Sequence, residues 1–103
     1  MKHIRDSERF SIIQPDLNVC CKCGGTPAEK HEVFNGIAER QKSKDWGMVV
    51  GLCPFHHRIV TENASERIKL KKEGQREFEK HYGHAQFMKV FRKNYLEEEE
   101  WKE

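Results

Sequence analysis

Four thiols and a pair of adjacent imidazoles are the residues in this chain best suited to do chemistry. Cys20 and Cys23 form a Cys-x-x-Cys followed by Gly24 and Gly25, and Cys53-Pro54-Phe55-His56 repeats the same internal spacing. Two donors at that spacing can reach one tetrahedral ion, and glycine lets the backbone curl round the sulfurs. Cys20, Cys23, Cys53 and His56 are therefore expected to hold a structural zinc. Two disulfides would require an oxidising compartment, and an isolated pair would be a redox motif. Cys21 is the spare and reads as an ordinary thiol.

His57 follows His56 directly. Near the start of a helix, successive side chains diverge by about 100°, so a His56 aimed at zinc leaves His57 free for a second task. His31 lies inside the loop that the zinc closes, on a stretch expected to be extended, which can bring it towards His57. Two imidazoles beside a basic cleft can hold a divalent ion, or divide the work of ligand and general base.

The elements that must position these groups follow from pattern. Two short β-like pieces are expected at Glu29 to Phe34 and Met48 to Leu52, joined by a polar, basic connection over residues 35–44. Pro54 suits the first turn of a helix running to about Thr61. Asn63, three residues before Glu66, resembles a capping-box start. Ala64, Ile68, Lys71, Gln75, Phe78 and Tyr82 then share one face of a helix that ends at Gly83. A last amphipathic helix, from about His84 to Leu96, should turn Phe87, Met88, Val90 and Phe91 inward. The resulting division is a leader (1–19), in which Phe10, Ile12 and Ile13 form one strand or pack on the body, a Cys/His-rich core (20–63), a helical extension of the same domain (64–96) and an acidic tail (97–103).

Taken together, Cys-x-x-Cys-Gly, the His-Glu-Val-Phe of His31 to Phe34 and the Gly-Leu-Cys-Pro-Phe-His-His of Gly51 to His57 resemble the HNH, or His-Me finger, endonucleases. The likeness is greatest to small phage-encoded HNH-type zinc proteins. It extends through Gln75 to Glu79, Tyr82-Gly83 and Phe91 to Leu96, so it covers about residues 20–96. The resemblance implies an α+β fold, a small zinc-stapled ββα-metal core with additional C-terminal helices. It also implies metal-dependent hydrolysis of DNA phosphodiester bonds. His57 matches the last metal-binding histidine of the motif, taking Mg2+, Mn2+ or a similar catalytic ion. His31 and Glu32 match the catalytic pair in one of two registers, of which the first is favoured because Val33-Phe34 then follow as the usual apolar pair. Either His31 is a ligand and Glu32 stands at the base position, or His31 is the base and Lys30 occupies the ligand position, where an ammonium cannot ligate. The middle Asn of the motif is not evident, with Asp45 the nearest polar candidate. These departures keep a second reading open, a catalytically degenerate zinc module that binds DNA or a protein without cutting.

Charge bears on the partner. The chain has 103 residues and a net charge of +2, but Glu97 to Glu103 holds five Glu and one Lys, so the rest of the chain carries +6. Arg40, Lys42, Lys44 and Arg58 lie beside the proposed site and are expected to touch the DNA phosphate backbone, a contact that positions without reading sequence. The acidic tail or the C-terminal helices can serve a protein partner. At 36% hydrophobic and 35% charged residues, the core is thin enough to benefit from a metal staple. No apolar run is long enough to cross a membrane, and the N-terminus lacks the apolar stretch of a signal peptide. The chain thus reads as intracellular and cytoplasmic, of phage or prophage type. His3, His81 and His84 read as surface or packing residues.

Overall fold

The structure, a computed structural model, describes residues 3–96 as a small α+β fold, with two short strands and four helices after a brief 3-10 turn at Asp6–Glu8. Strand β1 (Glu29–Glu32) pairs antiparallel with β2 (Val49–Leu52), setting His31 opposite Val50 and Glu32 opposite Val49. Between them lies α1 (Ile37–Asp45), and α2 (Pro54–Glu62), α3 (Ala64–Tyr82) and α4 (His84–Phe91) follow.

β2 is buried along its whole length, which explains its continuous apolar run. Against it pack Val33, Phe34, Met48, Val60, Leu70, Phe78, Phe87 and Phe91. Each fully buried side chain of this size contributes about 1.5–3 kcal/mol of transfer free energy. Aromatic rings supply much of the bulk: Phe34 lies 4.5 Å from Phe91 and 5.5 Å from Phe87, centroid to centroid, and Phe78 joins them to Trp46. The leader packs on this body rather than adding a strand. Ile12 N–H donates to the Gly47 carbonyl, and Gly51 N–H donates to the Gln14 side chain. Gly51 is required by close approach, because a Cβ there would stand 2.4 Å from the Val19 carbonyl oxygen.

Three expectations are corrected. Residues 35–44 are mostly helix, not a connection: α1 has almost no apolar stripe, and Ile37 is exposed. Tertiary bonds fix it instead, since the buried Ser43 hydroxyl accepts from Phe34 N–H and donates to the Phe34 carbonyl. In α3, Leu70 and Gly74 face the core beside Gln75 and Phe78, whereas Ile68 and Tyr82 are exposed. Finally α4 stops at Phe91, because Arg92 turns left-handed (φ 60°). The chain then folds back onto α3, where the buried Gln75 side chain accepts from Tyr95 N–H and donates to Asn94. The ends of α3 do follow the sequence: the Asn63 side chain accepts from Ser65 and Glu66 N–H groups, and Gly83 has φ 88°. The acidic tail lies outside the described residues.

Candidate metal centre and adjoining histidine cleft

The two Cys-x-x-ligand turns meet. Ligand atoms of Cys20, Cys23, Cys53 and His56 all lie within 4.8 Å of one another, the one such group of three or more among the described residues. The donor spacing fits zinc. A tetrahedron with Zn–S bonds of about 2.3 Å has S···S edges of about 3.8 Å, and Cys23 Sγ to Cys53 Sγ is 3.8 Å. His56 Nδ1 is 3.3 Å from Cys53 Sγ and 3.6 Å from Cys20 Sγ. The backbone prepares the thiolates: Lys22 N–H points at Cys20 Sγ and His56 N–H at Cys53 Sγ, while Gly24 (φ 72°) closes the first turn by donating to the Cys20 carbonyl. Burial pushes the Cys20 thiol up, but backbone hydrogen bonds from Cys53, Cys23 and Lys22 outweigh it and hold the thiol at about 6. Cys53 is at once a donor and the N-cap of α2, so the cluster and the helix start are one object. Cys21 turns away, exposed, with its N–H on the Gly51 carbonyl.

The next residue of α2 faces the other way. The His57 ring stands 5.3 Å from that of His31, edge to face at 67°. Glu29 and His31, two apart on β1, share the face that meets α2, and the Glu29 carboxylate lies 3.1 Å from His57 Nδ1. The two histidines border a cavity of about 340 Å³ that Arg9, Arg40, Asn35 and Thr61 help to line. Burial, followed by the nearby His57, lowers His31 to about 4, so its imidazole is neutral at ordinary pH. Glu32, only 5% exposed, spends both carboxylate oxygens on guanidinium groups, Arg9 at 3.0 Å and Arg40 at 3.4 Å.

The remaining candidates divide. Arg40 sits at the cleft and Arg58 is exposed on α2. Lys42 lies 3.8 Å from Glu39, and Lys44 is held at 2.7 Å by Asp6. Asp45 does not face the cleft: its carboxylate accepts from Ile4 N–H and Gln41 and meets His3, fastening the leader to α1. His84 meets Glu79, and His81 meets its own helix.

Sequence reasoning missed Glu29, Asn35, Thr61 and Arg9. The two-residue step from Glu29 to His31 was a usable signal for the first. Nothing local marks Arg9, which arrives through the packing of the leader. Among the described residues, no helix is long and apolar enough to cross a membrane. Comparison with protein-family models, with curated proteins and with solved structures found no match.

Proposed function

We propose that the chain is a metal-dependent nuclease of the HNH type that hydrolyses DNA phosphodiester bonds, with the Cys3His cluster holding a structural zinc. The observation that carries this reading is the pairing of His31 with His57 in a cleft walled by Arg9 and Arg40. An antiparallel strand pair leading directly into the helix that bears His57 supports the ββα-metal assignment.

The cleft offers two imidazoles and a carboxylate bonded to one of them. A divalent ion such as Mg2+ or Mn2+ keeps much of its water shell and needs few protein donors, which suits so sparse a set, and His57 is the residue assigned to it. Such an ion supplies charge neutralisation at the scissile phosphate.

The chain's own groups do the rest. Arg9 and Arg40 bind phosphate oxygens in a fork geometry that Glu32 holds in place. Neutral His31 takes the proton of the attacking water at a ring nitrogen. We assign the base role to His31 rather than Glu32 because both Glu32 oxygens already accept from guanidinium groups. Glu29 fixes the ring of His57. The test is nicking of supercoiled plasmid with Mg2+ or Mn2+, abolished in His31→Ala and His57→Ala while zinc content stays the same.

One observation favours a non-cleaving DNA-binding module. Only the Cys3His group, among the described residues, gathers three or more donors. Intact plasmid across metals and pH, together with a normal mobility shift, would select that alternative.

A further inference from the structure

Beside the histidine cleft lies a second hollow of about 330 Å³, bordered by Lys71, Lys93, Tyr95 and Glu39, with Asn35 lining both. Two ammonium groups converge on one ring there: Lys71 Nζ is 5.4 Å and Lys93 Nζ 5.2 Å from the Tyr95 centroid. Neither lysine has a carboxylate within ion-pair distance among the described residues. Glu39, the one acidic group of the hollow, lies towards Lys42 and over Gly36. The Tyr95 hydroxyl likewise has no hydrogen-bond acceptor among the described residues.

Each ammonium gains from the ring face, but the two like charges repel each other, and an anion between them would offset that repulsion. The cost is visible at Lys71, which burial, then Lys93 and Arg67, pull below the usual ammonium range, with Glu39 opposing. Burial, aided by Glu39, raises Tyr95, so its hydroxyl keeps its proton and can donate.

We propose that Lys71, Lys93 and the Tyr95 hydroxyl form a phosphate subsite that holds a neighbouring phosphate of the DNA strand whose scissile bond lies in the histidine cleft. The assignment rests on the phosphodiester reading above, and it adds residues of α3 and the C-terminal segment to which the resemblance assigns no role. Asn35 borders both hollows, which sets them side by side. Lys71 and Lys93 are positioning residues, touching the strand away from the reacting bond.

The test measures binding of a labelled DNA duplex to the zinc-loaded full chain over a range of salt concentrations. Lys71→Met/Lys93→Met should weaken binding by about tenfold at moderate salt and flatten the log–log salt slope by about one per lysine removed. Lys71→Arg/Lys93→Arg should restore both, which separates charge from folding. His57→Ala should abolish nicking yet keep the part of the salt slope that Lys71 and Lys93 supply, so loss of cleavage and loss of the subsite are read separately. A parent chain that never nicks DNA but binds with lysine-dependent slope keeps the subsite and removes the nuclease. An unaltered slope in the double Met variant overturns the subsite, as does a parent chain that binds no duplex.

Discussion

The Cys3His cluster and the histidine cleft share the first turn of α2, but they are built in opposite ways. The cluster draws on two short turns whose spacing is written in consecutive residues, Cys20 to Cys23 and Cys53 to His56. The cleft gathers Arg9 from the leader, His31 and Glu32 from β1, Arg40 from α1 and His57 from α2. A centre made of local turns needs only the two turns to meet. A centre made of four distant segments inherits its geometry from everything that packs beneath it. Substitutions should therefore separate folding from chemistry along this divide.

The largest effect is expected at the cluster. Cys53→Ser removes both a donor and the N-cap sulfur of α2, so the chain should lose bound zinc and its cooperative melt. Metal binding to such four-ligand sites contributes about 10–16 kcal/mol in small peptides. Retained zinc stoichiometry with an unchanged melting temperature would break the assigned ligand set.

Next comes Glu32→Gln, which leaves two guanidinium groups facing a neutral amide. Because Arg40 is largely exposed, the cost should be about 1–3 kcal/mol, below that of a fully buried pair. Chemical denaturation measures it. Full nicking activity in this variant would exclude Glu32 from catalysis and sharpen the choice of His31.

His57→Ala should cost little stability, under about 1 kcal/mol, since its ring contacts only the half-exposed edge of the cleft. Its expected loss is catalytic, about 10²- to 10⁴-fold in nicking rate. If the variant instead lost zinc, the two sites would not be separable as drawn.

The smallest effect is a titration. His31 has its folded pKa near 4, below the ordinary 6.5, so the unfolded chain takes the proton first as pH falls. The stability tied to the neutral ring is complete above about pH 6.5 and is lost on the way down to about 4. Ring proton NMR of the zinc-loaded protein should show His31 still neutral at pH 5, and a midpoint near 6.5 would remove the buried cleft.

What could be read in advance tracks the same divide. The Cys3His cluster, the ends of α3 and the start of α2 were legible because Cys-x-x-Cys, Asn63, Gly83 and Pro54 act within a turn of their own position. The burial face of α3 was misassigned because Ile68 and Leu70 are equally apolar, and only the packing of α2 and α4 decides between them. Helix α1 was missed because Ser43, a poor helix signal, is anchored by a strand end that the sequence does not place beside it. Asp45 looked like a site residue by proximity in sequence, yet its partners are Ile4 and His3.

The tight seat of the leader on Gly51 has a consequence for what counts as a transferable unit. A chain shortened to begin at Cys20, where the Cys-x-x-Cys turn starts, would keep every member of the Cys3His cluster. It would lose Arg9 from Glu32, Gln14 from the strand backbone, and the carbonyls of Leu17 and Val19 that leave Gly51 no room for a side chain. Such a fragment could still bind zinc while exposing a bare strand edge and a half-neutralised carboxylate. The portable piece is therefore larger than the motif, and grafting or trimming must carry the upstream residues with it.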